Sequence, residues 1–268
     1  MLYIAFFILG SLWGSFSNVC IYRLPNNGNV AKGRSFCPNC KNKIRWFDNI
    51  PFFSYLFLKG KCRQCSKPIS FQYFIVELLS AISFVLIFHI YGASITTLLL
   101  LILSIFFIII FFIDLKHFII PNELTFPLMI IGFIKSFDPN LNQTIFPNYI
   151  NSLIGGLFGY SIICLIIYFY KTVRKINIKF NLFKNIFRQE DGMGLGDAKL
   201  IAAIGFWFGW VSIPIVIFVS SFVALIFAVP SLIKKSLQMS SEIPFGPYII
   251  IGCVFYVTFA NQIKYLLF

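Results

Sequence analysis

The sequence predicts an all-α polytopic membrane protein of about eight transmembrane helices, with a small zinc-ribbon-like cytoplasmic loop after the first helix. Three observations predict it. Of the 268 residues, 59% are hydrophobic and 12% charged, against about 25% charged in a soluble domain. Apolar runs recur at close to the roughly 20-residue length that crosses hydrocarbon. The basic residues cluster beside those runs, ten of the 22 from Arg23 to Lys67 and six more from Lys171 to Arg188, as the positive-inside rule produces.

That placement also decides what the formal net charge of +13 means. Spread over a soluble surface it would suggest nucleic acid. Gathered at span ends it reads as topology and attraction to anionic lipid, so the expected partner is the bilayer and no nucleic acid is expected. The first run, 1–19, has no basic stretch before it and no small-x-small cleavage site, and is expected to stay as a span with its N-terminus outside.

The elements follow in order. Residues 1–22 form the first helix and 23–70 a basic, Cys-containing cytoplasmic loop. Within 71–268, the run 71–91 goes out, 92–94 turns, and 95–113 returns inside to end at Asp114. The connection 115–122 precedes a short span over 123–137 interrupted by Pro127. An Asn- and Pro-rich external loop, 138–148, leads to 149–170, which crosses inward to the second basic segment. A short span around 201–210 is divided by Pro214 from 215–233, which ends at Lys234 and Lys235, and a last span follows Pro247. Nearly all Lys and Arg then fall inside; Lys135 and Lys264 are the exceptions.

Two Cys-x-x-Cys knuckles, Cys37 with Cys40 and Cys62 with Cys65, stand 21 residues apart. Each tight turn can aim two sulfurs at one ion, so the spacing is that of a four-thiolate zinc site. Four Cys ligands leave no open position for substrate. Structural zinc, folding a loop too short for its own core, is therefore favoured over catalytic or redox metal chemistry. Cys20, Cys164 and Cys253 sit in apolar runs and read as small buried hydrophobes.

Only nine residues are acidic, and a carboxylate at a membrane edge is costly enough to be informative. Asp114 directly ends an apolar run and precedes Pro121 and Asn122. Asp197 begins another run, in Gly194-Leu195-Gly196-Asp197-Ala198-Lys199. One reading makes both simple helix caps. The other makes them a pair sharing a proton, one activating water and the other serving as acid toward a scissile carbonyl. Other hydrolytic chemistry has little support, since His89 and His117 lack a Ser or Cys partner motif. The glycines near Asp197 precede no Gly-Lys-Ser/Thr, which argues against a nucleotide loop.

Taken in order, these motifs resemble the type IV prepilin peptidases, the leader peptidase and N-methyltransferase family of pilus and type II secretion systems. The ordered set is Gly14 to Val19 with Tyr22-Arg23-Leu24-Pro25, both Cys knuckles, Glu77, Asp114 with Ile120-Pro121-Asn122, Gly194-Leu195-Gly196-Asp197 with Lys199-Leu200, and Pro244-Phe245-Gly246-Pro247-Tyr248. The resemblance implies that Asp114 and Asp197 are the catalytic pair, the second in a Gly-x-Gly-Asp setting. It implies prepilins or pseudopilins as substrates, cut after glycine on the cytoplasmic side of a bacterial inner membrane. It further implies S-adenosylmethionine as methyl donor, although no methyl-donor motif of the soluble kind is visible and no residue is assigned to it. Ser17, Cys20 and Asp191 depart from the family pattern. A peptidase that has lost methylation, and a transporter or assembly scaffold docking through the Cys loop, are the competing functions.

Overall fold

The computed structural model describes residues 1–26, 28–30, 34–141, 145–180, 194–233 and 243–267. The second basic segment beyond Phe180, with Asp191, and the pair Lys234 and Lys235 lie outside them. Nine α-helices lie among the described residues, with three short 3-10 turns: α1 Leu2–Arg23, α2 Phe53–Phe57, α3 Gln72–Tyr91, α4 Ile95–His117, α5 Asn122–Ile134, α6 Tyr149–Phe180, α7 Leu195–Phe208, α8 Ser212–Ile233 and α9 Gly246–Leu267. The only pairing of extended chain among these residues is two isolated bridges in the Cys loop. The expectation of an all-helical protein holds. Four helices, α1, α3, α4 and α6, are long and apolar enough to cross a membrane. The chain divides into two compact units, Met1–Ile113 and Asp114–Phe268, with the division inside α4.

Unit one is built on α1 against α3. The buried face of α1 carries Gly10, Ser11, Gly14, Ser17 and Asn18, while Leu9, Leu12, Trp13 and Phe16 point outward. This inverts the soluble pattern. Between helices in lipid, small residues that let backbones approach supply the packing, and bulky apolar side chains meet the tails. A Cβ on Gly10 would sit 2.7 Å from the Ala81 Cα of α3, and one on Gly14 2.7 Å from the Glu77 Cα. Glycine is what these positions admit.

Unit two is built around α7, which packs against α5, α6, α8 and α9. Its run from Leu200 to Gly205 is buried, as are Ala198, Trp207 and Phe208. A helix apolar on every side belongs inside. The Trp207 indole donates to the Leu128 carbonyl of α5 at 2.8 Å. Lys135, one of the two basic residues expected on the outer side, is buried with its ammonium 2.9 Å from the Trp207 carbonyl and 3.9 Å from the centre of the Phe146 ring. A cation at the C-terminal end of α7 meets the negative end of the helix dipole, which gives this lysine a structural reason to depart from the charge bias.

Boundaries differ from the sequence reading in three places. Helix α4 continues four residues beyond Ile113 to His117, because nothing in Leu115-Lys116-His117 breaks a helix. The chain leaves it at Phe118, whose positive φ of 56° bends the backbone out while its N–H closes on the Asp114 carbonyl at 2.9 Å. Helix α6 runs on past residue 170 to Phe180, since a helix need not stop where the charges begin. Pro214, expected as a divider, lies in the first turn of α8, where its missing N–H costs no hydrogen bond.

Candidate active site and metal centre

Asp114 and Asp197 both belong to unit two, and both are buried, with 5% and 8% of their surface exposed. Asp114 stands in the last turn of α4. Its Oδ2 accepts a 3.0 Å hydrogen bond from the backbone N–H of Gly246, the first residue of α9. Asp197 stands in the first turn of α7, where its Oδ2 accepts from the Gly194 N–H at 3.2 Å. Each carboxylate is therefore held by a glycine N–H at a helix N-terminus, where the dipole favours negative charge. The two carboxylates, 83 positions apart in the sequence, lie close enough for like-charge repulsion to act between them.

Glycine makes this approach possible. A Cβ on Gly246 would lie 2.7 Å from Asp114 Oδ2 and 3.2 Å from the Ile120 side chain, and one on Gly196 would lie 3.1 Å from the Ile120 Cβ. Ile120 thus fills the space between the glycine beside Asp114 and the glycine beside Asp197. The next two residues complete the frame. Pro121 is extended and its carbonyl accepts from the first turn of α5, while the Asn122 side-chain oxygen accepts from Lys199 Nζ at 2.7 Å. That bond ties the start of α5 to the N-terminal end of α7, two residues from Asp197 on one side and eight from Asp114 on the other. Every site residue expected in this half, Asp114, Pro121, Asn122, Gly194, Gly196, Asp197 and Lys199, falls in this one cluster. Gly246 is the addition. It stood in a family motif without a role, and only the fold shows that its N–H faces Asp114.

In unit one, Cys37, Cys40, Cys62 and Cys65 gather their sulfurs within 4.8 Å of one another, with Cys37 Sγ 3.9 Å from Cys65 Sγ. A tetrahedral ion with metal–sulfur bonds of about 2.3 Å spaces its sulfurs by about 3.8 Å, so the four thiols could hold a metal ion. The knuckles are near copies. Lys41 N–H bonds the Cys37 carbonyl at 2.8 Å and Ser66 N–H the Cys62 carbonyl at 2.9 Å. Lys41 and Ser66 also share a positive φ, 57° and 56°. The backbone N–H groups of Cys65 and Gln64 favour the thiolate of Cys62, the form a metal needs. Cys20 and Cys253 are buried and Cys164 half-buried, and all three are free thiols.

Fold and site together define a class: a helical membrane protein with two buried carboxylates in one compact unit. Residues 8–91 match the bacterial peptidase A24 N-terminal domain and residues 101–229 the type IV leader peptidase family. The chain is 36% identical over 265 residues to a protein of Vibrio cholerae, covering 94% of each. It is 34% identical to one of Neisseria gonorrhoeae, covering 90% of this chain and 84% of that protein, and 35% identical to one of Xanthomonas campestris, covering 91% and 86%. All three relatives carry the name prepilin leader peptidase/N-methyltransferase. No solved structure matches the chain significantly. The chain belongs to the type IV leader peptidase family.

Proposed function

We propose that this chain is a membrane aspartyl endopeptidase that removes the basic leader of type IV prepilins or pseudopilins after a glycine and N-methylates the new N-terminus with S-adenosylmethionine. The observation that carries the peptidase reading is the buried pair Asp114 and Asp197, each steadied by one glycine N–H on its Oδ2. Each is left with an oxygen for water or substrate. The ionised member takes a proton from water as the oxygen attacks the scissile carbonyl. The protonated member donates to the carbonyl oxygen; as the resulting diol collapses it takes that proton back, while the other member passes the water's proton to the leaving amine. Both are returned to their starting state when the peptide leaves. Lys199 and Asn122 keep α7 and the start of α5 in register, so that the two acids stay aligned.

The proposed topology completes eight spans by adding α5, α7, α8 and α9 to the four long apolar helices. Helices α5 and α7, of 13 and 14 residues, reach only about 20 Å, which suits residues enclosed by longer neighbours. The basic Cys loop then faces the cytoplasm of a bacterial inner membrane, and both aspartates lie at the cytoplasmic edge. Residues 1–22 serve as the first span, 23–70 as a loop held by structural zinc and linked to methylation, and 71–268 as the peptidase domain.

The test is cleavage of a synthetic prepilin by the full chain in lipid. Asp114→Asn and Asp197→Asn should each lower the rate by at least about 10²–10⁴-fold, the range of a lost general acid or base, with protein level and metal content unchanged. Full processing by either variant would remove the reading and return the scaffold alternative.

A further inference from the structure

Unit one presents an apolar face that peptide cleavage does not use. It belongs to α2, five residues long, whose side chains divide between two sides. Phe52, the N-cap, and Tyr55 turn inward. The Phe52 ring lies 5.6 Å from the Phe7 ring of α1 and 5.6 Å from the Phe74 ring of α3, and the Tyr55 ring lies 5.7 Å from Phe74. Phe53, Leu56 and Phe57 have the i, i+3, i+4 spacing of a single helix face. They turn outward and are 61%, 64% and 82% exposed. Exposed Trp46 stands close by, because the Ser54 hydroxyl of α2 donates to the carbonyl of the next residue, Phe47, at 2.9 Å.

The contacts of Phe52 set the depth of this face. Its N–H donates to Glu77 Oε2 at 3.0 Å, and Glu77 stands five residues beyond the start of α3, about 8 Å along the helix. The Glu77 backbone in turn packs on Gly14, near the middle of α1. Both helices are long and apolar enough to cross a membrane, so residues 50–57 return to the depth of the spans. Their backbone suits that setting. The Phe53, Ser54 and Leu56 N–H groups bond the Pro51, Ile50 and Phe52 carbonyls at 2.7, 3.1 and 3.0 Å. Phe52 itself, at φ 61° and ψ −54°, makes a γ-turn of the strained hand, and Glu77 receives its N–H. Unpaired backbone does not stand in hydrocarbon, which gives the carboxylate inside a span and the strained phenylalanine one common reason.

Charge points to what covers the face. Exposed Arg45 precedes Trp46, and exposed Lys59 and Lys61 follow α2. Residues 34–70 hold eight Lys and Arg against one acid, Asp48, which Arg63 pairs at 2.6 Å. Such a collar attracts the phosphates of anionic lipid and repels the basic leader assigned to the substrate above.

We propose that α2 and Trp46 form an interfacial anchor. Phe53, Leu56 and Phe57 lie among acyl chains just below the headgroups, the surrounding basic residues meet anionic phosphates, and Glu77 is the positioning residue that holds the helix at that depth. The Cys loop is then fixed at one height on the bilayer instead of swinging between its two tethers. The anchor needs only α1 and α3 as spans, so it stands or falls apart from the peptidase reading.

The experiment places a photoreactive side chain on this face of the full chain, Phe57→p-benzoylphenylalanine, in vesicles of mixed phosphatidylcholine and phosphatidylglycerol. Adducts formed on illumination are identified by mass spectrometry, and Leu12→p-benzoylphenylalanine, on the outward face of α1, sets the yield for a side chain in lipid. Position 57 should give lipid adducts within about threefold of that yield. Adducts to another segment of the chain, to a second copy or to added synthetic prepilin in place of lipid overturn the anchor, as does a position 57 that forms none. Phosphatidylcholine alone should lower the yield at position 57 at least about threefold and leave that at position 12 unchanged; an unchanged yield at 57 overturns the part given to the basic residues. Glu77→Leu should lower it at least about threefold, with helix content unchanged by circular dichroism, and Glu77→Gln, whose amide oxygen still accepts the Phe52 N–H, should restore it. An undiminished yield in Glu77→Leu, or an equal loss in both variants, overturns the positioning role.

Discussion

The two units of the chain build their polar centres by opposite routes. The thiol centre of unit one comes from two nearly identical local turns, each complete within about six residues, so its geometry travels with its sequence. The acid pair of unit two has no such local unit. Asp114 is placed by α4 and by the N-terminus of α9, Asp197 by the N-terminus of α7, and Ile120 fills the gap. A centre of the first kind should respond to its ligand. A centre of the second kind should respond to packing at a distance.

The largest expected effect tests the first half of that contrast. Cys37→Ser removes one of four ligands from a loop with little core of its own. Metal content should fall from one equivalent to under a tenth, and residues 34–70 should become open to proteolysis, since structural zinc contributes on the order of 10 kcal/mol of folding free energy to small domains. Retained protection without metal would show that the loop folds by packing alone.

The second prediction probes the acid pair without touching it. Gly246→Ala would put a methyl 2.7 Å from the Asp114 Oδ2. Cleavage should fall about 100-fold, the cost of roughly 1 Å of misplacement in an aligned site, while the protein stays folded. Wild-type cleavage would mean that Asp114 does not depend on α9. A smaller effect is expected of Lys199→Met, which removes the 2.7 Å bond to Asn122. About 1 kcal/mol of stability should be lost, read as a fall in thermal midpoint, with cleavage reduced only several-fold.

How legible each centre was in the sequence follows the same division. Cys-x-x-Cys at a 21-residue interval states its own ligands, and the fold only supplies their near-identical turns. Asp114 and Asp197 were visible as rare acids at the ends of apolar runs, but nothing in their spacing says that Ile120 fills the space between the glycine beside each of them. Gly246 was hidden because a glycine between two prolines reads first as a loop. Lys135 looked like a misplaced charge until the C-terminal end of α7 was found beside it. Glu77 stood only as one member of the ordered motif set, and its partner Phe52 is 25 residues away in a turn that no propensity would forecast.

The central claim, that Asp114 and Asp197 act as one unit, is tested most directly by a double-mutant cycle on prepilin cleavage. If the acids share one reaction, Asp114→Asn, Asp197→Asn and the double variant should lose nearly the same activity, because removing either already disables the pair. If the losses multiplied, so that the double variant fell by the product of the two single factors, the aspartates would be acting independently and the account would be wrong.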